Sequence, residues 1–140
     1  MDVEVNLVGV AAATVAAMVV GSVWYHKAVF GTEWMKLTKI SDKKAKEEAP
    51  QAMFVMFVLA ALAAYALAWL TYAVGFIMEE ESFVVAAVQT TMMVWVGFVF
   101  YAQVSNAMFE QRPKRLMVLN VGNSFVTFLA MGLAIGLVGL

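Results

Sequence analysis

Residues 101–125 read YAQVSNAMFEQRPKRLMVLNVGNSF, and this stretch decides the fold because two apolar segments meet in it across a short basic turn. The turn carries Arg112, Lys114 and Arg115 around Pro113. A transmembrane helix needs about 20 mainly apolar residues to cross roughly 30 Å of hydrocarbon, and the segments on both sides of the turn meet that length. The stretch therefore predicts two membrane helices whose ends meet at one face of a bilayer.

Composition extends this interpretation to the whole chain. The 140 residues are 64% hydrophobic and 14% charged, with a mean hydropathy of +0.84, whereas soluble domains are about 45–50% apolar and about 25% charged. A net charge of −1 gives no global field that would attract a nucleic acid. The absence of cysteine excludes disulfides and thiolate metal sites. We therefore expect this chain to have the lipid bilayer, and no nucleic acid, as its partner.

Four segments are long and apolar enough to be membrane spans, and each should be helical because lipid offers no water to satisfy peptide groups. They cover residues 6–30, 52–78, 83–109 and 116–140. A cleavable signal peptide would begin with a positively charged region, but no Lys or Arg precedes the first segment. We therefore expect the first segment to be a retained span. The sequence predicts an all-α integral membrane four-helix bundle that forms a single domain over residues 1–140.

The positive charges predict the orientation. Six lysines lie at the end of the first span (Lys27) or between it and the second, and three further basic residues lie between the last two spans, whereas the connection 79–82 and both termini carry none. By the positive-inside rule the two basic connections face the cytoplasm and both termini face outside. The expected location is the cell (inner) membrane.

The segment 31–49, between the first two spans, is predicted to form a short amphipathic helix in the membrane interface. Trp34, Leu37 and Ile40 recur at three-residue spacing among the lysines. Ser41 is a candidate cap for a second turn, and Pro50 fits the first turn of the next helix. A solvated charged linker is the alternative.

Small residues recur every fourth position on three of the predicted spans, which allows helices to approach closely in lipid. These candidate packing faces are Gly9, Ala13, Ala17 and Gly21 on the first span, Ala60, Ala64 and Ala68 on the second, and Gly132 and Gly136 on the fourth. Each face could contact another helix of this chain or a helix of a partner, and the sequence leaves both open.

Uncharged polar side chains form a candidate intramembrane cluster on the third and fourth spans: Gln103, Asn106, Asn120, Asn123 and Thr127. The last three share one helix face. Such groups are costly to bury in lipid, so they indicate either a small-solute path or hydrogen bonds between helices. No charged residue lies deep within a span, which weighs against an ion-coupled transporter.

A second candidate set lies at the predicted cytoplasmic face and comprises Trp24, Tyr25, Trp34, Glu110, Arg112, Lys114 and Arg115. Glu110 is expected to pair with Arg112, Arg115 or a lysine, and the aromatic rings are expected to pack near this ionic clasp. Binding of phosphate or lipid headgroups by the basic residues is the competing interpretation. His26 has no close partners for a metal site, and no catalytic motif occurs, so we expect no metal, no cofactor and no enzyme activity.

Two motif blocks carry a resemblance to a known family. They are Trp24-Tyr25, Phe30-Gly31 and Trp34 in the first block, and Phe109-Glu110-x-Arg112-Pro113 with Leu116, Asn120 and Gly122 in the second. Together they resemble the small prokaryotic membrane family catalogued as domain of unknown function 1761, over about residues 6–136. The resemblance implies four spans and no assigned activity. The pair His26-Lys27 departs from the small, polar or proline residues expected in relatives.

The expected function is that of a non-enzymatic scaffold or accessory subunit that assembles with itself, as a homo-oligomer, or with another membrane protein. Its basis is the small-residue faces and the absence of buried charge. The alternative is a small-solute channel or transporter that uses the amides of the third and fourth spans.

Overall fold

The structure, a computed structural model, describes residues 2–79 and 82–139, and every regular element in that part of the chain is helical. In chain order the elements are α1 (Leu7–Trp24), π1 (Lys27–Gly31), α2 (Thr32–Thr38), α3 (Asp42–Ile77), α4 (Phe83–Val94), π2 (Trp95–Phe100), α5 (Tyr101–Phe109) and α6 (Lys114–Val138). The elements α4, π2 and α5 form one continuous helix, Phe83–Phe109, named here the third span.

In the part of the chain that the structure describes, four helices are long and apolar enough to cross a membrane, namely α1, α3, the third span and α6. This confirms the prediction of an all-α, four-span protein. Each of them packs against two others: α1 against α3 and α6, and α4 against α3 and α6. The start of the chain meets its end, since Asn6 Nδ2 donates to the carbonyl oxygen of Gly139 at 3.2 Å. The four helices therefore form a closed ring in chain order.

The core of the bundle is built from small side chains and a few large ones: Ala13, Ala17, Ala64, Leu67, Ala68, Ala87, Met131 and Ile135. Alanine lets helix backbones approach closely, which matters in lipid because no hydrophobic effect drives helices together there. The packing faces on α6 follow the same rule. A Cβ at Gly132 would overlap Thr91 Oγ1, and one at Gly136 would lie 2.7 Å from Val84 Cα.

The small-residue row on α1 is also used mostly within the chain. Gly9, Ala13 and Ala17 are buried, and a Cβ at Gly9 would lie 3.8 Å from the Val138 side chain. Gly21 differs, because a Cβ there would find nothing within 4 Å among the described residues. Most of the small-residue positions that the sequence offered to a partner are thus occupied by the chain itself.

The helix α3 begins earlier than the sequence predicted. It starts at Asp42, after a short helix α2, so the second half of the predicted interfacial segment 31–49 belongs to α3, and Pro50 lies inside that helix. The cause is local: Ser41 Oγ accepts from Lys44 N at 3.1 Å, and Asp42 pairs with Lys46 one turn later at 3.3 Å. Pro50 removes one donor from an exposed turn, where water can satisfy the carbonyl that it leaves.

With 36 residues, α3 is about 54 Å long at about 1.5 Å per residue. The hydrocarbon of a bilayer is only about 30 Å thick, so the charged first turns of α3 extend beyond the apolar length of the bundle. Lys27, just after α1, contacts Asp42 at 2.6 Å and ties down this start. The connection from α1 to α3 and the turn from α5 to α6 lie at one end of the bundle, named here the basic end.

The first span ends at Trp24, before the predicted limit at residue 30, because the chain turns into π1. His26 Nδ1 accepts from Ala28 N at 3.1 Å and caps this segment. Gly31 closes it, and a Cβ at Gly31 would overlap the carbonyl oxygen of Tyr25. Only glycine fits this close approach, which places α2 beside the start of α6.

Candidate functional site

Tyr25 connects three elements at the basic end. Its hydroxyl donates to Asn120 Oδ1 on α6 at 2.8 Å, and its ring meets the edge of Trp34 on α2 with the centroids 5.8 Å apart. Tyr25 and Asn120 were each a candidate in the sequence, but nothing in the sequence predicted that they pair. The contact brings one residue of each motif block together.

Trp24 adds a second contact between the same blocks. Its indole lies against Gly122 of α6, where a Cβ would be 3.0 Å from Trp24 Cζ2. The Trp24 ring also packs against the ring of Phe30, with the centroids 4.7 Å apart. The glycine in the second block therefore accommodates the tryptophan of the first.

The third contact is an ion pair between α2 and the first turn of α6. Arg115 Nε donates to Glu33 Oε1 at 2.6 Å, and Arg115 Nη2 donates to Glu33 Oε2 at 3.2 Å. The hydrogen bond from the Arg115 guanidinium, with its positive charge, lowers the pKa of the Glu33 carboxyl below its ordinary value. We name the set Trp24, Tyr25, Glu33, Trp34, Arg115, Asn120 and Gly122 the junction.

Sequence reasoning did not assign Glu33 a role. The available signal was its position directly before Trp34, as a carboxylate in a segment otherwise rich in lysine.

The ionic clasp has a different geometry from the one expected. Glu110 does pair with Arg112, through Arg112 Nε and Glu110 Oε2 at 2.6 Å. Tyr25 and Trp24, however, contact α6 through Asn120 and Gly122, and Trp34 packs on Tyr25. Within residues 2–79 and 82–139 the Glu110–Arg112 pair makes no recorded bond to that side of the junction. Lys114 is exposed.

A hydrogen-bond chain joins the third span to α6 next to the junction. Trp95 Nε1 donates to Ser124 Oγ at 2.9 Å, and Ser124 Oγ donates to Gln103 Oε1 at 2.6 Å. Ser124 is buried and was not a candidate in the sequence. The two helices are therefore held together by a polar link inside the bundle.

The π2 segment explains why one serine reaches both partners. In a regular α-helix, positions eight apart such as Trp95 and Gln103 point about 80° away from each other. A π turn accommodates about one extra residue per turn, so the later residue rotates back toward the direction of the earlier one. The π2 segment, Trp95–Phe100, thereby aligns both side chains on Ser124.

The predicted intramembrane cluster divides into two parts. Gln103 and Asn120 are bonded to Ser124 and Tyr25 as described, and Asn106 is exposed beside them. Asn123 Oδ1 and Thr127 Oγ1 are buried, and neither has a hydrogen-bond partner in the described part of the chain. The five residues therefore do not form one continuous network.

A cavity of about 190 Å³ lies between α5 and α6 at the basic end. Its lining is mainly polar and comprises Gln103, Asn106, Ala107, Glu110, Arg112, Met117, Asn120 and Val121. The gap at the opposite end of the bundle, beside Asn6 and Gly139, is about 10 Å³, which is no more than one water requires. The cavity thus combines an ion pair with three amides, and we name it the α5–α6 cavity.

The described residues contain no group of three or more His, Asp or Glu side chains that could hold a metal ion. The α5–α6 cavity offers a ligand hydrogen-bond donors, the guanidinium of Arg112 and the carboxylate of Glu110.

A family model described as "Protein of unknown function (DUF1761)" matches residues 8–136, which include nearly all of the four spanning helices and the whole junction. The match agrees with the resemblance drawn from the two motif blocks. No curated protein and no solved structure matches the chain.

Proposed function

The chain belongs to the DUF1761 family, described as proteins of unknown function, and from that premise we propose that it is a non-enzymatic scaffold or accessory subunit of the cell membrane. In this proposal it assembles with a second copy of itself or with another membrane protein. The basic end faces the cytoplasm and both termini face outside, as the distribution of Lys and Arg favours.

The observation that carries the proposal is the exposure of α3 at the basic end. Residues 51–59 are all exposed, so this stretch buries no face against the rest of the bundle. It is rich in large, adaptable side chains: Met53, Phe54, Met56 and Phe57. A helix in a bundle ordinarily buries one face along its length, so a stretch exposed on every side supports a role in contacting another membrane helix.

The polar start of α3 supports the same role. Its first turns carry exposed Lys43, Lys44 and Glu47, which project beyond the apolar length of the bundle. A partner packed against this projection would cover it. Because charges of both signs lie along it, a partner of complementary charge pattern fits better than a surface of one sign.

The second candidate, a small-solute channel or transporter, is favoured by one observation, the amide-lined α5–α6 cavity. The opposite half of the bundle weighs against it. There α4 and α6 approach so closely that a Cβ at Gly132 or Gly136 would collide with Thr91 or Val84. A solute in the cavity would meet this packed half, so the scaffold remains our proposal.

Cross-linking of single cysteines tests the scaffold directly, because the native chain has no cysteine. Met56→Cys places a thiol on α3, and Met108→Cys places one on α5, and the two native side chains are similarly exposed, at 54% and 59%. We expect Met56→Cys to cross-link to a second copy or to a membrane partner in native membranes, and Met108→Cys to do so much less. Equal cross-linking, or none together with a monomer in mild detergent, contradicts the proposal.

The alternative is tested by solute flux in proteoliposomes. If the chain is a scaffold, Asn120→Leu and Asn123→Leu change no flux, because there is none above that of protein-free vesicles. Flux in the native protein that is lost in folded variants would establish the transporter instead.

A further inference from the structure

The α5–α6 cavity presents hydrogen-bond donors whose direction is set by its neighbours. Trp95 Nε1 can only donate, so Ser124 Oγ accepts from it. The Ser124 hydroxyl has two acceptors within reach, Gln103 Oε1 at 2.6 Å and the carbonyl oxygen of Val121 on its own helix at 3.0 Å. With Gln103 Oε1, at the shorter distance, as the acceptor, the amide nitrogen of Gln103 remains for the cavity. The same holds for Asn120, whose oxygen accepts from Tyr25. In the described part of the chain no side chain accepts from either amide nitrogen.

The ion pair in the cavity wall leaves both of its members partly unused. Arg112 Nε donates to Glu110 Oε2, so the two terminal nitrogens of Arg112 remain for a second acceptor. Such a planar pair of donors suits two oxygens of a phosphate. The other carboxylate oxygen of Glu110 remains as an acceptor. Both side chains are about half exposed, so a ligand can reach them.

The charges define the class of ligand. An anion alone would find Glu110 unfavourable, and a cation alone would meet Arg112 and two amide donors. A phosphate with a primary ammonium a few bonds away satisfies both, the phosphate on Arg112, Gln103 and Asn120, and the ammonium on Glu110. The volume of about 190 Å³ far exceeds the roughly 10–15 Å³ that one water requires, so the cavity has room for more than a single water.

The position of the cavity suggests where such a group comes from. Glu110 and Arg112 lie in the turn after the third span, and Asn120 lies six residues from the start of α6, about 9 Å along that helix. This is the depth of a lipid headgroup and its backbone when the spans cross a bilayer. Ala107, Met117 and Val121 complete the wall with apolar atoms, and α5 exposes Met108 and Phe109 to acyl chains.

We propose that the α5–α6 cavity binds phosphoethanolamine, as the headgroup of a phospholipid. This inference goes beyond the scaffold function and does not depend on it.

The test is a lipid titration of the delipidated, detergent-solubilised protein, followed by native mass spectrometry. The probes are phosphatidylethanolamine and phosphatidylglycerol with identical acyl chains. We expect the native protein to bind phosphatidylethanolamine at least about tenfold more tightly, because only that lipid supplies an ammonium to Glu110. Glu110→Gln should remove this preference.

The variant that tests the phosphate contact is Arg112→Gln, and its matched control is Lys114→Gln, which removes a positive charge two residues away without touching the cavity wall. We expect Arg112→Gln to weaken phosphatidylethanolamine binding by at least about tenfold and Lys114→Gln by less than about twofold. Arg112→Lys, which retains the charge but not the paired donors, should fall between them. Thermal unfolding of each variant confirms that it is folded.

Equal losses in Arg112→Gln and Lys114→Gln would overturn the proposal and leave only general attraction of lipid to a basic surface. So would equal affinity of the native protein for the two lipids, since that is binding of lipid around the protein without recognition. Soluble phosphoethanolamine separates the sources. If soluble phosphoethanolamine displaces the lipid with an affinity near that of the lipid, the cavity is a site for a free ligand of the same chemistry. If the lipid binds and soluble phosphoethanolamine does not displace it, the cavity is a site for the lipid headgroup.

Discussion

Glu33 and Arg115 lie 82 positions apart in the chain and form a two-bond ion pair, with Nε to Oε1 at 2.6 Å and Nη2 to Oε2 at 3.2 Å. The pair fixes the short helix α2 against the first turn of α6. It therefore closes the junction on the side away from the α5–α6 cavity. The two charges of the pair can be exchanged between the helices without changing either helix.

Charge exchange at this pair is our first prediction. Glu33→Arg and Arg115→Glu each place two like charges together, so each should lower the unfolding temperature. The double variant restores opposite charges and should recover part of the loss. Unfolding in detergent, followed by circular dichroism, measures all three. A double variant no more stable than the less stable single variant would show that the two residues do not interact.

The second prediction concerns pH. The pKa of Glu33 is lowered on folding by the hydrogen bond and charge of Arg115. A carboxylate with a lowered folded-state pKa contributes stability that is complete above its unfolded pKa, about 4.3, and is lost as the pH falls through the folded value. The native protein should therefore exceed Glu33→Gln in unfolding temperature at neutral pH, and the difference should vanish at low pH. A difference that persists at low pH would argue against this origin.

The third prediction concerns the close approach at Gly31. A Cβ there would overlap the carbonyl oxygen of Tyr25 and lie 2.8 Å from the carbonyl carbon of His26, both of which are backbone atoms that cannot rotate away. Gly31→Ala should cost about 1–3 kcal/mol or more of unfolding free energy. Gly97→Ala is the matched control, since Gly97 also lies in a π segment and a Cβ there would meet nothing within 4 Å among the described residues. Equal effects at both sites would contradict the account of π1.

The fourth prediction concerns Ser124. Ser124→Ala removes the acceptor of Trp95 and the donor to Gln103 together, and hydrogen bonds between membrane helices average about 0.6 kcal/mol each, with a maximum near 1.7. We therefore expect a loss of about 1–2 kcal/mol in unfolding free energy. Ser105→Ala should change it little, because Ser105 bonds only to its own helix, at Ala102. If the two variants lose the same amount, Ser124 does not link the helices.

The number of spans and their approximate bounds follow from the sequence, because hydrophobic length is a local property and lipid imposes helical structure on it. The cap at Ser41 was also visible for local reasons. Pro50 misled the prediction of where α3 begins, since a proline in an exposed turn costs one hydrogen bond that water can replace, while the cap and ion pairs upstream had already started the helix.

The pairings between helices were not visible. Tyr25 and Asn120 are 95 positions apart, and their contact depends on the rotation of α6 about its axis, which is set by packing at Gly122, Gly132 and Gly136 together. The link from Trp95 to Gln103 through Ser124 depends on a π turn that no residue in π2 predicts. The sequence singled out the residues of both motif blocks as candidates, but their partners follow from helix rotation and not from spacing.

The most direct test of the central claim, that the chain crosses the bilayer four times with its basic connections on one side, is labelling of single cysteines with a membrane-impermeant maleimide in intact and opened cells. Lys44→Cys and Lys114→Cys lie at the basic end, and Glu79→Cys lies beyond the other end of α3. We predict that Glu79→Cys reacts in intact cells and that the other two react only after the cells are opened. Reaction of Lys44→Cys and Glu79→Cys from the same compartment would contradict the account.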